Sequence, residues 1–193
     1  MKRIIALSVV ALALAGCSAK TVGNILSAND ASFEGGTGTW GTGSYGLNNA
    51  TIAQTTAQAL DGTHSLAITS TATSSVKAPT GGGTLGYPVG PNTAYTAILS
   101  ARAATTWRAL YVSINWSNAS GTYLSSSDGS PVTDITTGWT QGHVTATSPS
   151  TAAFAQIVAI YVTSAISEVH YVDEVALNLG TSTTWVPGGR GDA

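Results

Sequence analysis

Over Trp107–Ser117 the side chains alternate with the two-residue period of a β-strand. Leu110, Val112, Ile114 and Trp116 fall on one face, and Trp107, Ala109, Tyr111, Ser113 and Asn115 on the other. A strand of this kind hides its apolar face only by stacking its sheet on a second layer. The same period recurs in Tyr95–Ala103, where Tyr95, Ala97, Leu99 and Ala101 oppose Thr96, Ile98, Ser100 and Arg102. In His64–Ser70, Leu66 and Ile68 alternate with Ala67 and Thr69, after the turn signal Asp61-Gly62. Thr51–Ala57, Ala155–Thr163 and His170–Leu179 read as further strands. Tyr123-Leu124 opens another, before the turn signal Asp128-Gly129. The fold class predicted is all-β, a two-sheet antiparallel sandwich.

Composition narrows the functions such a domain can have. Charged residues make up 8% of the chain and the net charge is −2, which gives no electrostatic basis for nucleic-acid binding. A hydrophobic content of 43% with five tryptophans argues against disorder. The histidines, at 64, 143 and 170, lack the spacing of a transition-metal site. No G-x-S-x-G elbow is present, and most of the few acids fall in turn signals (Asp61, Asp128) or in the pair Glu34 and Asp173, so neither esterase-type nor paired-carboxylate glycosidase chemistry is expected.

The first twenty residues, MKRIIALSVVALALAGCSAK, join a basic start to a short apolar run and small residues, as in a secretory signal. Leu14-Ala15-Gly16-Cys17 resembles a bacterial lipobox, which implies cleavage after residue 16 and lipidation of Cys17, the sole cysteine. The organisation expected is a signal over 1–16, a lipidated cysteine and tether over 17–23, a domain over 24–180 and a flexible tail over 181–193. That places the protein at the bacterial cell surface or periplasm, with membrane contact through the lipid alone. Arg190-Gly191-Asp192 in the tail is read as a chance match to an adhesion tripeptide.

Glu34 follows Phe33 where the β-domain begins, and Asp173 interrupts the last strand. A carboxylate beside a core is costly unless it is paired or holds a cation. If first and last strands are neighbours, a hard cation would tie the two acids together. The alternative is a pair of solvated or hydrogen-bonded acids at a sheet edge.

Asn24–Trp40, NILSANDASFEGGTGTW, resembles the "N-L-L-x-N-x-x-F-E … G-W" opening of CenC-type carbohydrate-binding modules (families 4, 9, 16 and 22). DGTHSL at 61–66 resembles their "D-G-x-x-S-L", and PNTAYTAILSA at 91–101 their "P-G-T-x-Y-T-x-S-x-x-A". Thr137–Trp139 with Thr145–Pro149 resembles "G-W-x-x-V-x-x-T-x-x-A-P", and HYVDEVAL at 170–177 the closing "Y-V-D-D-V-x-L". The resemblance implies a galactose-binding-like jelly roll. It also implies a structural calcium ion held by the side chains of Glu34 and Asp173 and by carbonyls of Ser32, Asp61 and His64. Trp40 and Trp139 would match the family's core tryptophans, Trp40 or Tyr45 standing alternatively at a binding surface.

Sugar rings stack on aromatic planes while Asn and Arg side chains bond their hydroxyls. Trp107 and Tyr111 lie four residues apart on one strand face, about 13 Å by strand rise. With Asn115, Arg102 and Tyr45 they form the expected sugar platform. The alternative makes Trp107 a cap on the sandwich edge and Tyr111 ordinary cross-strand packing. The functional expectation is a non-catalytic surface lipoprotein that binds a polysaccharide or glycan. The alternative is a structural or adhesion module of phage-tail or surface-assembly type, binding protein partners without sugar.

Overall fold

The computed structural model describes residues 23–42, 45–81 and 85–189. The expectations for the leader, for Cys17 and for Arg190–Asp192 lie outside the described residues. One short helix, α1 (Ala28–Ser32), precedes eleven strands: β1 (Ala50–Thr55), β2 (Ser65–Ser70), β3 (Ser74–Pro79), β4 (Tyr87–Pro88), β5 (Ala94–Ala103), β6 (Ala109–Ser117), β7 (Tyr123–Asp128), β8 (Val132–Thr133), β9 (Thr140–Thr147), β10 (Phe154–Ser164) and β11 (Val169–Leu179). They form two antiparallel sheets, a five-stranded one ordered β1-β2-β11-β5-β9 and a six-stranded one ordered β3-β10-β6-β7, with β4 on β10 and β8 on β6.

The alternation read from sequence is the alternation that packs. Tyr95, Ala97, Leu99 and Ala101 of β5 face Leu110, Val112, Ile114 and Trp116 of β6 within one buried cluster. Trp116 is fully buried and its indole N–H donates to Ser127 Oγ at 3.0 Å, so its one polar atom is satisfied. In β11 the inward set is Val172, Val175 and Leu177, which breaks the two-residue period. The cause is a β-bulge: Asp173 pairs with Ser100 but Ala176 with Ile98, and Glu174 takes a left-handed φ of 49°.

The entry segment is tied down by one acid. Ser27 caps α1, its Oγ accepting from Asp30 N at 3.2 Å. The buried Asp30 carboxylate accepts from Thr39 N at 2.5 Å, from Thr39 Oγ1 at 2.6 Å and from the Tyr87 hydroxyl. Burial, then the Asp30 charge, pushes the Tyr87 phenol well above its ordinary range. Trp40 is buried, tilted against Phe33 at 5.8 Å, and donates to Asp30 O at 3.1 Å. Trp40 therefore belongs to the core and not to a binding surface. Trp139, expected in the core, is only half-buried, in the loop before β9.

The segment expected as a free tail is held as far as Gly189. Asn178 Nδ2 donates to Ser182 O and Thr184 O, Asn24 Nδ2 to Val186 O, and Gly189 N to Leu26 O.

Candidate functional site: a groove on the outer face of the six-stranded sheet

Because the even-numbered residues of β6 go inward, Tyr111, Ser113 and Asn115 are left on the outer face. Register extends that face across the sheet. Tyr111 stands opposite Ile160, Ser113 opposite Val158 and Asp128, Asn115 opposite Gln156 and Ser126, and Lys77 opposite Ile160. Over this lattice lies an open groove of about 330 Å³, with Val158 and Ile160 as apolar floor and Ser113, Asn115, Ser126, Asp128 and Lys77 as polar lining. Tyr45 and Tyr123 complete it, their rings meeting edge to face at 5.4 Å. The segment carrying Tyr45 is anchored on β3, where Asn48 and Lys77 exchange backbone hydrogen bonds of 3.0 Å and Asn49 Nδ2 donates to Ser75 O. Asp128 is held in place by the Ser113 hydroxyl at 2.6 Å.

Of the residues expected in a sugar platform, Tyr45 and Asn115 line this groove. Tyr111 is on the same outer face but outside the lining, half-buried beside Ile160. Trp107 lies before β6 begins, 66% exposed, and is likewise not part of the lining. Arg102 is on β5, paired across to Tyr171 in the other sheet, so the structure separates it from the groove. Lys77, Tyr123, Asp128, Val158 and Ile160 were missed. Lys77 was hidden because it reads as the start of a Gly/Pro-rich connection over Lys77–Pro91, although it belongs to β3, and the others because strand pairing is not visible in the sequence.

The two acids at the ends of the domain do meet at one turn. Glu34 accepts from Thr63 N, Thr63 Oγ1 and His64 N at 3.0, 3.0 and 2.8 Å, and His64 Nδ1 lies 3.3 Å from its Oε2. The His64 and Thr63 amides hold its carboxyl down at about 2. Asp173, fully buried, accepts from Leu60 N at 2.7 Å, Asp61 N at 3.1 Å and Glu174 N at 2.8 Å. Burial pushes Asp173 up to about 6 despite those three amides, with the Asp61 charge adding to the rise. Among the described residues no group of three or more His, Cys, Asp or Glu is arranged to hold a metal ion. Three hydrogen bonds from the turn engage Glu34 and three backbone amides engage Asp173, which leaves each carboxylate one acceptor position. Ser32 closes α1, its hydroxyl bonded to Ala28 O at 3.2 Å.

A second polar cluster lies between the sheets at the end where β11 begins. His170 Nδ1 and Asp134 Oδ2 are 2.6 Å apart, with side chains 1% and 0% exposed, and the imidazole stacks on Tyr161 at 4.1 Å. Asp134 Oδ1 also accepts from Arg108 N at 2.5 Å. Arg108 pairs with Glu168 through two hydrogen bonds, one of 2.8 Å from Nε, and Ser164 Oγ donates to Glu168 at 2.9 Å. The nearby Ser164 hydroxyl is bonded to Glu168 and not to the imidazole, which is buried. Glu168 is held down to about 2, chiefly by Arg108, against an ordinary 4.5. Its contribution to stability is complete above about pH 4.5 and is lost as pH falls towards 2. Glu168→Gln is expected to flatten the fall in melting temperature across that window; an unaltered acid limb in a pH series of thermal melts would show that this pair carries none of it.

By sequence, no family model and no curated protein matches the chain. By structure, the C-terminal family 22 carbohydrate-binding module of Clostridium thermocellum Xyn10B superimposes with a TM-score of 0.60 at 16% identity, covering 80% of this chain and 94% of that one. The family 22 xylan-binding domain of Paenibacillus barcinonensis Xyn10C gives 0.59 at 14%, covering 86% and 100%. The fold is the two-sheet jelly roll of these family 22 modules. Arabinose-bound MgGH51 α-L-arabinofuranosidase also matches, at 0.60 and 18%, over 89% of this chain but 28% of its own length, so the jelly roll also corresponds to one part of a larger enzyme. At these identities the likeness speaks for the fold, and the groove must speak for itself.

Proposed function

We propose that the protein is a non-catalytic glycan-binding module whose site is the groove on the six-stranded sheet. The observation that carries this is its mixed lining: an aromatic pair and an aliphatic floor beside hydroxyl, amide and charged groups. A pyranose presents apolar C–H faces and a rim of hydroxyls, so a cleft of this kind matches both surfaces at once. The xylan-binding neighbours of the same fold support the reading. Retention on a panel of insoluble polysaccharides that includes xylan tests it; the folded protein is expected to stay on at least one, and passage through every matrix would count against glycan binding.

Two further proposals accompany this one. Lipidation at Cys17 would present the module on a membrane, and fatty-acid labelling in a bacterial host should be lost in Cys17→Ser. A calcium ion at the 60–64 turn would act only structurally, with Asp173 as its carboxylate and Asp61 and Glu174 as nearby charge. Calcium is expected to raise the melting temperature by several degrees over chelator; an unchanged midpoint would mean that the amides alone secure the turn.

The structural or adhesion reading is supported by a separate surface. Trp107 (66%) and Ile166 (62%) are exposed on loops joined by the Arg108–Glu168 pair, with Ile135 also exposed, next to the Asp134 that accepts from Arg108 N. Such an apolar end suits a protein partner.

A further inference from the structure

We propose that the groove prefers glycans bearing carboxylate substituents, and that Lys77 reads them. The inference rests on the groove being the glycan site and names the class of glycan it takes. Of the three basic side chains among the described residues, Arg108 is paired with Glu168 and Arg102 lies on the other sheet. Lys77 alone lines the groove, exposed, and it makes no ion pair among the described residues. Asn48 fixes its backbone from both directions, so the ammonium is carried on a short, defined base.

The groove also contains an acid, Asp128, and distance decides which charge a ligand carboxylate feels. Lys77 is on β3 and Asp128 on β7, the two edges of the β3-β10-β6-β7 order. Three strand spacings separate them, about 14 Å. A carboxylate seated in the groove about 4 Å from the ammonium lies about 10 Å from Asp128, whose repulsion is then about 2.5 times weaker than the attraction before screening. Salt, with a Debye length of about 8 Å, then cuts the longer-range term to about 30% and the shorter to about 60%, and more salt weakens both. Asp128 is further committed to Ser113, which leaves it suited to accept from sugar hydroxyls at the opposite wall. The groove thus has one wall for an anion and one for neutral hydroxyls, with the aliphatic floor between.

The test compares binding of a glucuronic-acid-bearing polysaccharide with binding of the same polysaccharide after carboxyl reduction. The expected ratio of affinities is about 5 in favour of the acidic form at low salt, near the upper range for an exposed pair, and it falls towards one as salt rises. Lys77→Gln should bring the ratio to about one at any salt, and Lys77→Arg should keep it. Equal binding of both forms by the unaltered protein overturns the preference while leaving glycan binding in place. A preference that survives in Lys77→Gln overturns the assignment to Lys77. Failure to bind either form, with Tyr45→Ala/Tyr123→Ala indistinguishable from the unaltered protein, overturns the glycan reading of the groove itself.

Discussion

Asp134→Ala is expected to lower the stability of the domain by about 3 kcal/mol, the scale for breaking a buried pair by removing one partner. For a chain of this size that corresponds to roughly 6–12 °C in melting temperature. The reason is local and threefold. Asp134 holds His170 Nδ1, accepts from Arg108 N, and thereby ties the start of β6 and the segment after β8 to the start of β11. Its loss leaves a buried imidazole with no hydrogen bond on either nitrogen, since His170 Nε2 already lacks one among the described residues and has only Glu168 Oε2, 3.9 Å away. Asp134→Asn keeps the shape and one acceptor and should cost less. Thermal melts of the two variants check the order; equal small losses would show that the cluster is a passenger of the packing around Tyr161.

The second large effect concerns binding. Tyr45→Ala/Tyr123→Ala should weaken glycan affinity by about 2 kcal/mol or more, roughly 30-fold, while leaving the melting temperature nearly unchanged. Both rings lie at the groove and outside the buried core cluster, so their removal strips the aromatic surface without opening a cavity between the sheets. Trp107→Ala, at the far loops, should leave glycan affinity as it was. A binding loss in Trp107→Ala but not in the tyrosine pair would relocate the site to the end of the sandwich.

These two sites differ in how far the sequence revealed them. The two inward faces of β5 and β6 were legible because strict alternation over nine or ten residues has one physical reading, and the core cluster contains those very side chains. The motif order also pointed to the right fold. Of the residues expected in a sugar platform, Tyr45 and Asn115 line the groove. Trp107 and Arg102 do not, because alternation counts residues along a strand but cannot say where the strand starts or which sheet it joins. Trp107 precedes β6, and β5 belongs to the opposite layer. Lys77 and Asp128 were invisible for the same reason, since only the pairing of β3 with β10 and of β7 with β6 brings them to one surface. The Glu34–Asp173 expectation caught the meeting of the two ends at one turn. It did not foresee that backbone amides of Leu60–His64 would occupy the carboxylates, because amide direction depends on turn geometry that residue types leave open.

The measurement that bears most directly on the groove as the binding site is a titration of the isotopically labelled protein with soluble fragments of whichever polysaccharide retains it, followed through its backbone amide resonances. The shifts are expected to concentrate on Lys77, Ser113, Asn115, Tyr123, Ser126 and Asp128, with the Trp107 and Ile166 loops unmoved. Shifts confined to those loops, or a saturating titration that leaves the groove amides still, would contradict the account.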